Sequence, residues 1–100
     1  MNGLKIDLPL NSIAEICKRY QVRELSIFGS AVREDFTAKS DVDFLVEFKP
    51  EASIGFLELA GMNIELSELL GRPVDLVSKN GLSPVIRDVV LESAKVFYAS

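Results

Sequence analysis

Histidine is absent from this 100-residue chain, and Cys17 is its only cysteine. Without histidine, the sequence excludes Ser-His-Asp and Cys-His catalytic arrangements and histidine-rich zinc sites. A single cysteine excludes a disulfide framework within the chain and a thiolate metal cluster, and it agrees with a reducing cytosol. Carboxylates, hydroxyls, lysines, arginines and a bound metal ion remain as the means of catalysis.

Long apolar runs and basic clusters are missing as well. No apolar run approaches the roughly 20 residues of a membrane span, and the first residues do not form a signal sequence, so we expect a cytoplasmic protein without membrane contact. The formal net charge is −4, and no local run of Lys or Arg offers a nucleic-acid surface. We therefore expect a small-molecule or protein acceptor and no nucleic-acid partner. The length predicts one domain over residues 1–100.

Apolar periodicity alternates between helices and strands, which predicts an α/β fold with helices packed on a sheet. Ser12 and Glu15 have the spacing of a capping box that opens a first helix. Strands are expected over 24–28, 41–48 and 74–77, helices over about 54–70 and from Ser83-Pro84 onward, and a short last strand over 96–99. Helical spacing predicts that Val85, Val89, Val90 and Ala94 form the inner face of the last helix. The pattern leaves the strand directions open.

Three aspartates lie where strands are expected. Asp41 and Asp43 are two residues apart, so their side chains leave the same face of a strand, and Asp75 lies between two apolar residues of another strand. Like charges at such positions repel each other and favour a shared cation. Oxygen ligands alone indicate Mg²⁺ or Mn²⁺. Taken by itself, an Asp-x-Asp pair is as readily explained by a solvated sheet face.

Gly29 and Ser30 follow an apolar strand, where they allow close backbone approach to an anion such as phosphate. Ten residues separate Ser30 from Asp41, which gives the pattern Gly-Ser-x10-Asp-x-Asp. Four fixed positions should match by chance in roughly one sequence of this length in a thousand. The combination is therefore far more specific than either pair.

The stretches 25–30, 40–48 and 70–77 resemble the nucleotidyltransferase superfamily that includes DNA polymerase beta, and most closely its minimal members, the MNT antitoxin-type domains found beside HEPN toxins. The resemblance implies a polymerase-beta-like fold with a small mixed sheet of three or four strands. It implies that Asp41, Asp43 and Asp75 hold metal ions and act in catalysis. It further implies that Gly29, Ser30 and Arg33 bind the triphosphate; Glu34 stands where relatives have glycine. Lys79 is a weaker phosphate candidate, and we expect Glu47 to face solvent.

The activity implied by the resemblance is metal-dependent transfer of a nucleotidyl group, AMP if ATP is the substrate, to a hydroxyl acceptor. The acceptor implied is a tyrosine of a HEPN toxin, which would make the chain a type VII-like antitoxin. Two alternatives remain open at this stage: a catalytically vestigial module that masks its partner, and a small-molecule nucleotidyltransferase completed by another subunit. The residues leave both homo-oligomers and hetero-oligomers open.

Overall fold

The computed structural model describes residues 8–29 and 41–100. Its elements, in chain order, are α1 (Leu10–Arg19), β1 (Val22–Phe28), β2 (Val42–Phe48), α2 (Phe56–Leu70), β3 (Val74–Ser78), a 3₁₀ turn (Lys79–Gly81), α3 (Pro84–Ser93) and β4 (Lys95–Ala99). The predicted strands are all present, each extended by one or two residues or shortened by one. No helix in these two stretches has both the length and the apolar character to cross a membrane.

The four strands form one mixed sheet in the order β3-β2-β1-β4. β1 is antiparallel to both of its neighbours, whereas β2 and β3 are parallel. A parallel pair needs a crossover connection, and α2 provides it between β2 and β3. The sheet thus has the mixed character that the resemblance implied.

Helices α1 and α2 cover one face of the sheet. Strand register places Ile27, Phe44 and Leu76 in one row across β1, β2 and β3 on that face. The fully buried part of the core consists of Ile13, Cys17, Val22, Leu25, Ile27, Val42, Phe44, Val46, Met62 and Leu66. Burial raises the pKa of the Cys17 thiol to about 12, so it remains a neutral core residue, as expected for a small buried side chain.

Glycine and proline set the bounds of the last two helices. Gly71, with φ of 67°, ends α2 in the left-handed conformation, where its N–H donates to the Ser67 carbonyl. The Ser83 hydroxyl accepts from the Val85 N–H at 3.3 Å, with Pro84 as the first helical residue of α3. Both predicted boundaries are confirmed.

Two predictions about helices were wrong. Helix α1 begins at Leu10 with Pro9 at its N-cap, so Ser12 lies within the helix and caps nothing. Helix α3 buries no residue, and its predicted inner face is largely exposed, with Val85 at 87% and Val89 at 67%. The spacing of apolar residues marked a stripe on α3 correctly, but only tertiary packing decides whether such a stripe meets the core.

Helices α1 and α2 are joined by polar contacts on Glu65. The Arg19 guanidinium donates to Glu65 Oε1 at 2.5 Å, and the Tyr20 hydroxyl donates to Glu65 Oε2 at 2.5 Å. These two hydrogen bonds hold the pKa of Glu65 below its ordinary value. Gly61 makes room for the hydroxyl, because a Cβ there would lie 3.2 Å from the Tyr20 oxygen.

The contacts of Glu65 predict an acid-dependent contribution to stability. A carboxyl whose pKa is lower in the folded state stabilises the fold above the unfolded pKa of about 4.3, and this contribution is lost as pH falls through the folded pKa. We expect Glu65→Gln to lower the urea midpoint at pH 7 by no more than a few tenths molar, because the site is partly exposed. The difference in urea midpoint between Glu65→Gln and wild type should be smaller at pH 3 than at pH 7. An equal difference at both pH values would contradict this role of the Glu65 carboxylate. Glu68→Gln, on the same helix, is the control.

Candidate active site

Asp43 and Asp75 are direct neighbours across the parallel pair β2 and β3. In the antiparallel pair of β1 and β2, Asp43 lies opposite Phe28, the last residue of β1. All three positions belong to the sheet face that α1 and α2 do not cover, since the side chains of Phe44 and Leu76, one residue later, lie on the covered face. Neighbouring strands lie about 4.8 Å apart, so the carboxylates of Asp43 and Asp75 lie close to each other.

Asp41 stands immediately before β2 and is exposed. Its position two residues before Asp43 places it on the same side of the extended chain. The parallel direction of β2 and β3 brings the beginnings of both strands to one end of the sheet. The structure therefore brings all three predicted carboxylates to one end of one face.

Like charges directly opposite each other destabilise a sheet. Carboxylate pairs at such positions are stabilised when a cation lies between them, and the donors here are oxygen atoms, which suit Mg²⁺ or Mn²⁺. Within residues 8–29 and 41–100, no three acidic, cysteine or histidine side chains are gathered closely enough to enclose a metal ion. Asp43 and Asp75 fit the chemistry of a divalent-metal site as a pair of oxygen donors, with Asp41 beside them.

Gly29 lies directly against the Asp43 side chain. Its φ is 75°, a left-handed conformation that a residue with a side chain rarely adopts. A Cβ at this position would overlap Asp43 Oδ2 and lie 3.1 Å from Asp43 Cγ. The sequence predicted a glycine for close approach to an anion, and the close anion in the structure is the carboxylate of Asp43.

Gly29→Ala should therefore displace the Asp43 carboxylate as well as strain the backbone. The left-handed conformation alone costs about 1–2 kcal/mol for a residue with a Cβ. If Asp43 acts in catalysis, as the resemblance implies, the implied nucleotidyl transfer should fall on the order of 100-fold, since misplacing a catalytic group by about 1 Å has effects of that size. Gly71→Ala is the matched control, because Gly71 also has positive φ but a Cβ added there would have nothing within 4 Å. Equal activity of the two variants would refute this role of Gly29.

Ser30 and Arg33, predicted to bind the triphosphate, lie outside the described residues, as does Glu34. Their roles stay predictions.

Lys79 and Glu47 form a contact that the sequence did not predict. Lys79 Nζ lies 3.4 Å from Glu47 Oε1, and both side chains are about 30% exposed. Glu47 therefore does not simply face solvent, and Lys79 has a carboxylate partner. The two residues are 32 positions apart, and only the parallel register of β2 and β3 brings them together.

A cavity of about 470 Å³ lies at the opposite end of these strands from the aspartates. Its lining includes Phe48 and Ser78, the last residues of β2 and β3, together with Gly55 before α2. None of the three aspartates lines it. The chemistry of the carboxylates, rather than the size of this cavity, locates the candidate active site.

Comparison with known proteins shows the family of the chain. Residues 10–97 match the family model of the nucleotidyltransferase domain. The chain belongs to this family of nucleotidyl-transferring enzymes. Among relatives, the protein adenylyltransferase MntA of Thermococcus cleftensis is 42% identical over 77 residues, covering 77% of this chain and 76% of the relative. A candidate protein adenylyltransferase of Methanocaldococcus jannaschii is 38% identical over 82 residues, covering 82% and 86%.

Solved structures confirm the predicted fold. A candidate minimal nucleotidyltransferase superposes with a TM-score of 0.72 at 34% identity, covering 86% of both chains. A chain from a toxin–antitoxin complex with AMP-PNP superposes with a TM-score of 0.77 at 21% identity, covering 93% of this chain and 75% of that one. At 21% identity, the similarity to this second structure shows a shared fold and nothing more.

Proposed function

We propose that the chain transfers AMP from ATP, with Mg²⁺ or Mn²⁺, to a hydroxyl of a partner protein, and that the acceptor is a tyrosine of a HEPN toxin. The observation that carries the proposal is the pairing of Asp43 with Asp75 beside Gly29, on the sheet face that α1 and α2 do not cover. The relatives named as protein adenylyltransferases support a protein acceptor. A Shewanella oneidensis HEPN toxin described as tri-AMPylated, in complex with an MNT antitoxin, supports the partner class at the level of the fold.

The proposed transfer needs mainly positioning and charge neutralisation. The acceptor oxygen forms a bond to the α-phosphorus, the bond from that phosphorus to the bridging oxygen breaks, and pyrophosphate leaves. In this proposal Asp75 receives the hydroxyl proton, because it lies on β3, an edge strand among the described residues. Asp41 and Asp43 would hold the divalent ion, which neutralises the triphosphate charge. Gly29 keeps the Asp43 carboxylate close to the backbone.

The test is labelling of a co-purified HEPN-type partner by ATP that carries ³²P at the α-phosphate. We expect label on the partner, dependent on Mg²⁺ or Mn²⁺, and AMP linked to a tyrosine oxygen by mass spectrometry. Label on the partner from γ-labelled ATP instead would indicate phosphoryl transfer and contradict the proposal.

A second candidate function is neutralisation of the partner by masking. The exposed apolar stripe of α3, formed by Val85, Ile86 and Val89, favours it, because this face buries none of its residues among the described parts of the chain. Co-expression with the toxin separates the two functions. An Asp41→Asn/Asp43→Asn variant that still neutralises the toxin supports masking, whereas loss of neutralisation supports catalysis.

A further inference from the structure

Strand β3 forms one edge of the sheet, and within the described residues it pairs with β2 alone. The Val42 N–H donates to the Pro73 carbonyl at 3.0 Å, while the Val74 N–H points away from β2 to Ser67 Oγ at 3.1 Å. Alternate residues of a parallel ladder direct their backbone groups to opposite sides. The N–H and C=O of Leu76 therefore point away from β2, in the direction from which a further strand would pair.

A small groove runs beside this edge, under the first half of α2. It has a volume of about 190 Å³ and is lined by Phe56, Leu59, Ala60, Asn63 and Leu76. Its walls are apolar except for Asn63, whose Oδ1 is buried and has no hydrogen-bond partner. A buried carbonyl oxygen without a donor is costly, and an N–H group from an occupant would satisfy it.

The alternation of side chains links this groove to the aspartates. The Leu76 side chain lies on the face covered by α2, whereas the side chain of its neighbour Asp75 lies on the opposite face. A strand added along β3 has the same alternation. Its residue at the register of Asp75 would project onto the carboxylate face about 4.8 Å from Asp75, and the residues on either side of it would project toward the groove.

We propose that the acceptor segment of the partner protein binds as an additional extended strand on the edge of β3, with its hydroxyl residue at the register of Asp75 and apolar flanking residues in the α2–β3 groove. This inference rests on the proposed function. Strand addition supplies affinity through the backbone and selectivity through alternate side chains. It explains how a small chain can present a protein acceptor to Asp75, because the strand that carries this carboxylate is an edge strand within residues 8–29 and 41–100.

The test compares two probes as acceptors of label from α-³²P ATP: the peptide acetyl-Lys-Val-Tyr-Val-Lys-amide and N-acetyl-tyrosine amide. We expect the wild-type chain to label the peptide at least tenfold faster. Ala60→Trp fills the groove and should remove most of this advantage while leaving labelling of the tyrosine amide unchanged. Phe56→Ser, at a residue that is 83% exposed and whose replacement should not unfold the chain, should reduce the advantage several-fold. Leu57→Trp, on the same helix but outside the groove, is the control.

A second peptide with proline in place of both valines keeps apolar flanks but cannot pair as a strand. It should be labelled no faster than the tyrosine amide. Equal labelling of the valine and proline peptides, or equal loss in Ala60→Trp and Leu57→Trp, overturns strand addition while leaving the proposed transfer intact. If the wild-type chain labels its co-purified partner but neither the valine peptide nor the tyrosine amide, strand addition by a short segment is overturned while the proposed transfer stands. If the partner is not labelled either, the proposed function fails, and this inference falls with it.

Discussion

Asp43→Asn should lower nucleotidyl transfer on the order of 1,000-fold without unfolding the chain. The carboxylate contacts Gly29 and lies opposite Asp75, so the amide keeps the shape of the side chain but removes its charge. Loss of one group that stabilises charge in the transition state has effects of about this size. The measurement is the initial rate of label transfer from α-³²P ATP.

The stability of Asp43→Asn provides an independent check. The amide has the size and shape of the carboxylate, so the variant should remain folded and unfold cooperatively in urea. Asp88→Asn is the matched control, because Asp88 is exposed on α3 and away from the sheet register. Transfer at the wild-type rate by the Asp43 variant would show that this carboxylate is not part of the active site.

Phe44→Ala should have the largest effect on stability, a loss of about 3–5 kcal/mol in the free energy of unfolding. Phe44 is fully buried, lies in register with Ile27 and Leu76, and has its ring centroid 5.4 Å from that of Phe97. For a domain with a total stability of about 5–15 kcal/mol, such a loss would leave a substantial unfolded population under mild denaturation.

Phe56→Ala is the matched control for this prediction. The same substitution at a side chain that is 83% exposed should change the free energy of unfolding by less than about 0.5 kcal/mol. Equilibrium unfolding in urea measures the free energy of unfolding of both variants. The two values can be compared when this free energy falls with urea concentration at a similar slope in each variant. Similar losses at Phe44 and Phe56 would mean that the first turn of α2 belongs to the core, in contradiction to the packing described above.

The sequence predicted those elements whose boundaries depend on local chemistry. Gly71 and Pro84 end and begin helices for reasons contained in their own backbone geometry, so both positions were predictable. The strand that begins at Val42 is preceded by an aspartate and followed by Lys49-Pro50, which also limits it locally. Short-range signals of this kind do not require knowledge of the rest of the fold.

The faces of the helices could not be predicted in the same way. In α2 nearly every turn carries apolar residues; Met62 and Leu66 are buried, whereas Phe56, Leu57 and Ile64 are exposed. A helix with apolar residues on several sides fits the helical period in more than one orientation, and its position above the sheet selects the buried one.

The sequence singled out the three aspartates as candidate site residues, but it did not predict how they are arranged. The spacing of Asp41 and Asp43 placed them on one side of a strand, whereas the register of Asp43 with Asp75 depends on the parallel pairing of β2 and β3, which periodicity leaves open. The contact of Gly29 with Asp43 likewise joins two strands that are distant in sequence. Tertiary pairing, which local patterns do not encode, made Asp43 and Asp75 neighbours and brought them to the end of the sheet at which Asp41 stands.

Isothermal titration of ATP into the chain, with Mg²⁺ and then with EDTA, tests the central claim that these carboxylates form a metal-dependent nucleotide site. We expect binding with Mg²⁺ that is lost with EDTA and lost in the Asp41→Asn/Asp43→Asn variant, while the variant remains folded by circular dichroism. ATP binding that is equal with Mg²⁺ and with EDTA, or unchanged in the variant, would contradict it.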